Sequence, residues 1–231
     1  MTQDGRRRHL HHYLIIALLA GLLNLAYLSR LPADDFEPTA QTLRQVEQDY
    51  GGYARQRVLI WYQLIDNYQD AAPRDKLERV NNFFNQLAFV KDSELWGQED
   101  YWATPLQMLS SNGGDCEDFS IAKYFTLRKM GIPEERMRLS YVKALQLDQA
   151  HMVLTYFPTP DAEPLVLDNL VTDIRSASER TDLLPVYSFN GNGLWLAKKK
   201  GMDEHIGHSG RLSRWQEVLA RVNNEQLPLT R

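Results

Sequence analysis

Gly113-Gly114-Asp115-Cys116-Glu117-Asp118-Phe119-Ser120 holds the only cysteine of a 231-residue chain, set behind two glycines and among three carboxylates. Phe119, Ala122, Phe125 and Met130 follow at helical steps, so the stretch reads as the start of a helix with one buried face. Gly131-Ile132-Pro133 supplies the stop. Asp115 is placed to cap the helix, and Asp118, three residues on, to act as the return arm of a capping box. Cys116 then falls in the first turn, where free amides and the helix dipole favour a thiolate. The glycines are expected to let another chain approach the sulfur. A small buried thiol after a tight turn is the alternative, and the rest of the chain has to separate the two.

Hydrophobic residues make up 43% of the chain and charged residues 24%, an ordinary globular balance, and a net charge of −4 leaves no basic footprint for nucleic acid. Residues 1–33 read as a targeting segment. Arg6-Arg7-Arg8 precede an apolar run from Tyr13 to Leu28, the layout of an export signal, either cleaved or kept as an inner-membrane anchor. Residues 34–231 form the expected domain. Export bears on the cysteine, because structural cysteines in an oxidising compartment usually come in pairs. A lone one is a liability there unless it is buried or used.

Leu43, Val46 and Tyr50, then Val58, Trp61, Tyr62, Ile65 and Tyr68, keep helical spacing on either side of Gly51-Gly52. Pro73 opens a further helix expected to run through Phe89. Residues 91–103 read as a polar, tryptophan-bearing connection, and Thr104-Pro105 as the start of a short helix. After Pro133 the period changes. Residues 139–145, 151–157 and 164–168 are short and rich in β-branched and aromatic residues, with the turn Pro158-Thr159-Pro160-Asp161 between the last two. Folding that hairpin symmetrically sets Tyr156 or Phe157 against Ala162 or Glu163, and His151 against Asp168. A later hairpin turns at Asn190-Gly191-Asn192-Gly193, and an amphipathic helix around Trp215 closes the chain. Helices, a cysteine helix and then an antiparallel sheet make an α+β domain.

A cysteine at a helix start, a histidine opening one strand and an aspartate closing its neighbour form a nucleophile, base and orienter set for acyl transfer. Cys116, His151 and Asp168 are the candidates. His9, His11 and His12 belong to the targeting segment, while His205 and His208 lie in what reads as a polar loop. The Cys116 amide is one candidate oxyanion donor, and Trp102 or Gln107 could supply a second.

The Gly-Gly-Asp-Cys-Glu-Asp-Phe box, the Ala-His-Met-Val strand start and Leu-Asp-Asn resemble the bacterial transglutaminase-like cysteine proteinases, over roughly residues 38–220. The resemblance implies a papain-like core, with the nucleophile helix packed on an antiparallel sheet. It implies a periplasmic protease that cuts the N-terminal region of a large surface adhesin at paired alanines and so disperses biofilm. An inner-membrane cyclic-di-GMP receptor of the LapD type would hold it inactive. It also implies calcium, with Asp115 and Glu117 as ligands and Asp118 joining them. On the residues alone these are helix-capping charges, and their spacing is not an EF-hand loop, although hard oxygens suit calcium. Such a cation would also relieve the conflict between three carboxylates and a neighbouring thiolate. Two other functions stay open at this point: a transglutaminase or amidase of the same fold, and a non-enzymatic periplasmic binding module.

Overall fold

The computed structural model describes residues 38–197 and 203–225, so the expected targeting segment lies outside the described residues. Helix α1 (Ala40–Tyr50) is capped by Thr39 and stops at Gly51, whose φ of +86° no helix continues through. Helix α2 (Gly52–Tyr68) follows at once, and α3 (Pro73–Phe84) starts on its proline. The expected continuation of α3 to Phe89 does not occur. The helix ends at Phe84, and Ala88–Phe89 form a short strand, β1. A four-residue helix, α4 (Asp92–Leu95), lies in the tryptophan-bearing connection. Helix α5 (Pro105–Ser111) is fixed by a capping box in which Thr104 and Gln107 satisfy each other's amides.

Strand β2 (Gly113–Gly114) pairs in parallel with β1 and leads into α6 (Cys116–Lys129). Every residue of α6 from Asp118 to Leu127 is buried, so the helix is surrounded and not amphipathic as its spacing suggested. Its C-terminal carbonyls are met by Lys76, whose Nζ donates to Met130 O at 2.8 Å, and Gly131 at φ +83° ends it.

The remaining strands are β3 (Met137–Ala144), β4 (Gln149–Tyr156), β5 (Leu165–Leu167), β6 (Arg175–Ser176), β7 (Leu183–Phe189), β8 (Leu194–Leu196) and β9 (Glu204–Gly207). Among the described residues they form one seven-stranded sheet in the order β6-β5-β4-β3-β7-β8-β9, with every pairing antiparallel. His205, read from sequence as a loop residue, sits on the edge strand β9. The β4–β5 ladder pairs Tyr156 with Leu165, displaced by two residues from the symmetric fold, because the turn around Pro158 is longer than a tight hairpin. The ladder ends at Leu154 and Leu167, and Asp168, one residue past β5, reaches back to His151. A two-residue shift keeps both side chains on one face, where a one-residue shift would have parted them.

Helix α7 (Ser213–Asn224) closes the core through Trp215. That ring is fully buried, stacked on Phe125 at 5.5 Å and edge-on to Phe189 at 5.4 Å, joining α7, α6 and β7. Trp215→Ala is expected to cost about 3–5 kcal/mol, the usual range for emptying a buried aromatic site. A urea titration checks this, with the midpoint falling while the slope stays unchanged. A midpoint equal to wild type would show that α7 does not bear on the core.

Candidate active site

The two glycines before Cys116 serve packing and not access to the sulfur. A Cβ on Gly113 would lie 2.8 Å from the Ala88 carbonyl of β1, and one on Gly114 would collide with the Asp118 carboxylate. Strand β1 and Asp118 occupy the space that the sequence reading left for a substrate. Asp115 is the N-cap of α6 as expected, and its N–H donates to Asp118 Oδ2 at 3.3 Å. Asp118 Oδ1 accepts the Ala103 N–H at 2.6 Å, so one buried carboxylate ties the 101–104 segment to the start of α6.

The first turn is also tied to the sheet. Ser120 Oγ donates to Cys116 O at 2.9 Å and to Met152 O at 3.0 Å, next to His151 in β4. Cys116 is only partly buried, and its Sγ donates to Glu117 Oε2 at 3.0 Å and not to His151. Burial pushes the thiol pKa far up. The charge and hydrogen bond of Glu117 and the charge of Asp115 add to that, and the Met152 N–H opposes it only in part.

His151 and Asp168 meet as expected. The imidazole Nε2 lies 2.8 Å from Asp168 Oδ1, with both side chains buried. Asp168 Oδ1 also accepts the Leu170 N–H, and Asn85 Nδ2 holds the Asp168 carbonyl at 2.8 Å. Burial works against the charged carboxylate. The His151 hydrogen bond and charge, the Leu170 N–H and Arg180 outweigh it and bring the pKa down to about 2. Lys123, buried in α6 on the same side as Asp168, is held down to about 7 by burial, with the charge of Asp168 pulling the other way.

The carboxylate cluster is larger than the sequence suggested. Asp115, Glu117 and Asp118 are joined by Asp92 and Asp100 from the 91–103 connection. Asp92, Asp100 and Glu117 offer oxygens within 4.8 Å of one another, and so do Asp92, Asp115 and Asp118. Nothing local marked Asp92 or Asp100, which reach the site only through the tertiary fold. Asp92 Oδ1 and Asp115 Oδ1 are buried without a hydrogen-bond partner. Burial, reinforced by neighbouring carboxylates, lifts the Asp115 pKa to about 9 and the Asp92 pKa to about 6, and Asp118 well above its ordinary value. Orphaned oxygens among buried like charges fit a hard cation. Both Asp118 oxygens accept backbone N–H groups and both Asp100 oxygens accept side-chain N–H groups, from Trp102 and Arg214, so the orphaned oxygens of Asp92 and Asp115 are the free ligand positions beside Glu117. Gln107 drops out as an oxyanion donor. Its N–H goes to Thr104 Oγ1 and its Nε2 to Tyr101 Oη, while Trp102 Nε1 donates to Asp100.

A profile of the bacterial transglutaminase-like cysteine proteinases (BTLCP) matches residues 65–192, a span that contains Cys116, His151 and Asp168. Legionella pneumophila LapG is 44% identical, with a TM-score of 0.69 over 78% of this chain and 94% of that one. The chain belongs to this family. Legionella LapG treated with EGTA matches at the same identity and TM-score, covering 78% of this chain and 96% of its own. Calcium-bound Legionella LapG is 43% identical, with a TM-score of 0.68 over 79% and 98%. Among curated proteins nothing matches. The chain is thus a cysteine proteinase, and Cys116 is the only cysteine it has.

The raised carboxyls fix the sign of a pH effect. Asp92, Asp115 and Asp118 bind protons more tightly folded than unfolded, as does Glu225, raised to about 7 by burial. Stability from these groups is present at low pH and lost as pH rises. Asp168 acts oppositely but below about pH 4, and Lys123 acts oppositely above about pH 7. Chelator-treated protein is therefore expected to lose stability between about pH 4 and 7, read as a falling urea midpoint. A midpoint that is flat or rising over that window would show that the cluster is not protonated in the metal-free fold.

Proposed function

We propose that this proteinase is a calcium-dependent, periplasmic endopeptidase that cuts the N-terminal region of a large cell-surface adhesin at paired alanines. Release of the adhesin would disperse a biofilm, and an inner-membrane cyclic-di-GMP receptor of the LapD type would hold the enzyme inactive. The observation that supports this reading most is the 44% identity to Legionella LapG across nearly all of that chain. The arginine-led apolar segment at the N-terminus supports export. Among the described residues no helix is long and apolar enough to cross a membrane.

Cys116, His151 and Asp168 are proposed as the triad. With Asp168 ionised, Nε2 of His151 carries its proton and donates to Oδ1, which leaves Nδ1 to accept the thiol proton. The Cys116 sulfur then attacks the scissile carbonyl, and the histidine returns the proton to the departing amine. Water, activated by the same imidazole, cleaves the thioester. The thiol proton first has to leave Glu117, its hydrogen-bond acceptor in this structure. A bound cation would supply positive charge beside the thiolate, held by Asp92, Asp115 and Glu117 with Asp100 and Asp118 next to them. Calcium suits an irregular set of carboxylates better than magnesium, which demands near-octahedral geometry and dehydrates reluctantly. Calcium-bound Legionella LapG supports the choice.

Cys116→Ala and His151→Ala are each expected to abolish cleavage of a purified adhesin N-terminal fragment while leaving the circular dichroism spectrum unchanged. Asp168→Asn should lose most of the activity, since it misorients the histidine. Full cleavage by Cys116→Ala would end the proposal.

Calcium is tested by melting temperature as well as activity. At 100 times its dissociation constant a ligand adds about 2.7 kcal/mol. For a domain of this size that is a rise of roughly 5–10 °C. Calcium should produce the rise in chelator-treated protein and magnesium should not. Asp115→Asn, which keeps the capping geometry but loses the charge, should reduce it. An undiminished calcium shift in that variant would remove the Asp115 carboxylate from the ligand set.

A further inference from the structure

Asp168 has a second partner that no local pattern singles out. Arg180 lies between β6 and β7 and its side chain is buried. Its Nη2 donates to Asp168 Oδ2 at 2.7 Å, while His151 occupies Oδ1 of the same carboxylate. Arg180 is itself gripped by Asp182, with Nε on Oδ1 at 2.9 Å and Nη2 on Oδ2 at 2.7 Å, a fork-to-fork pair. The chain thus runs from Asp182 through Arg180 and Asp168 to His151, and three of its four members are buried.

We propose that Arg180 is a positioning residue for the catalytic histidine, holding the Asp168 carboxylate in the plane from which Oδ1 meets the His151 ring. The inference rests on the triad reading above. A carboxylate bonded only through Oδ1 can turn about its Cβ–Cγ bond and still keep that bond to the ring, so the ring turns with it. Fixing Oδ2 with a planar guanidinium that is itself clamped removes this freedom. Arginine meets the need because its donors form a rigid fork and it never loses its proton.

Burial argues the same way. An arginine this deep is expensive unless fully paired, and Nη1 of Arg180 is buried without any partner. A purely structural site would be served as well by a neutral donor. The backbone holds the other half of the device, since Asn85, the C-cap of α3, grips the Asp168 carbonyl and Asn81 within that helix grips that of Thr172. Carboxylate and main chain are therefore restrained from different elements.

Arg180→Met keeps the length and loses every donor. It is expected to lower kcat on the adhesin N-terminal fragment by roughly 10- to 100-fold, the scale of a small misplacement of a catalytic group. KM should be unchanged, because Arg180 does not touch the substrate. Arg180→Lys should lie between, since a point charge reaches Oδ2 but cannot hold both carboxylates. The downfield proton resonance of the His151 Nε2–H should broaden or move in Arg180→Met and stay in place in Cys116→Ala, a change that general loosening elsewhere would not produce.

If Arg180→Met fails to fold, Asp182→Ala decides. That side chain is 29% exposed, so its removal leaves the Arg180–Asp168 pair buried but unclamped, and kcat should fall several-fold at constant KM. Wild-type kcat in Arg180→Met, or in Asp182→Ala when the first variant does not fold, would overturn the positioning role. If Cys116→Ala and His151→Ala are inactive in the same assay, the triad itself survives that result. Wild-type cleavage by Cys116→Ala would instead end the triad reading.

Discussion

Asp118 is the point on which the geometry of the site turns. Its carboxylate is wholly buried and accepts two backbone N–H groups, from Ala103 and from Asp115. The first bond draws in the segment that follows Asp92 and Asp100; the second sets the entry of α6 and with it the direction of Cys116. Gly114 is glycine because this carboxylate stands where its Cβ would be. Leaving such an acceptor unpaired inside the protein costs about 1–3 kcal/mol, and more for a charged group. The two amides are therefore held firmly, and the loop and helix start behave as one rigid piece.

That rigid piece sets the carboxylates against the thiol. A helix start favours a thiolate by about 0.3–1 kcal/mol, up to roughly 2 in a buried site. One unit charge at 4 Å opposes it by about 4 kcal/mol at an effective dielectric constant of 20. Glu117, whose Oε2 lies 3.0 Å from the sulfur, is closer still, so the dipole loses and the thiol stays protonated. The sequence reading recognised this conflict from three adjacent acidic residues. It undercounted the charge, because Asp92 and Asp100 are separated from Cys116 along the chain and no local pattern links an aspartate at a short helix start to a cysteine three elements later.

The same contrast between local and long-range information runs through the fold. The capping residues Thr104 and Asp115, the glycine stops at 51 and 131, and the strand periods were legible because each depends on neighbours in sequence. The register of β4 against β5 was legible only to within two residues, yet His151 and Asp168 still met, because side chains alternate with a period of two. The full burial of α6 was not legible. It follows from Trp215 and Trp61 closing on the helix from two other elements, with Trp61 Nε1 donating to Thr126 Oγ1 at 2.9 Å. Arg180 escaped for the same reason: its meaning lies in Asp168, and nothing in Glu179-Arg180-Thr181-Asp182 announces that.

The two halves of the proposed triad sit in opposite electrical surroundings. Cys116 is crowded by carboxyl groups, while Asp168 is faced by Arg180 and by Lys123, so its charge is already shared when it meets His151. A thiolate at Cys116 is therefore opposed by the carboxyl groups around it, whereas the charges on the Asp168 side are paired. That pairing is fixed, since Arg180 cannot lose its proton and is held by Asp182. A divalent cation among the carboxylates would offset negative charge beside the sulfur and leave the His151–Asp168–Arg180 side untouched. On the proposed reading, the orienting machinery is built rigid and permanently, and activity is governed at the cysteine alone.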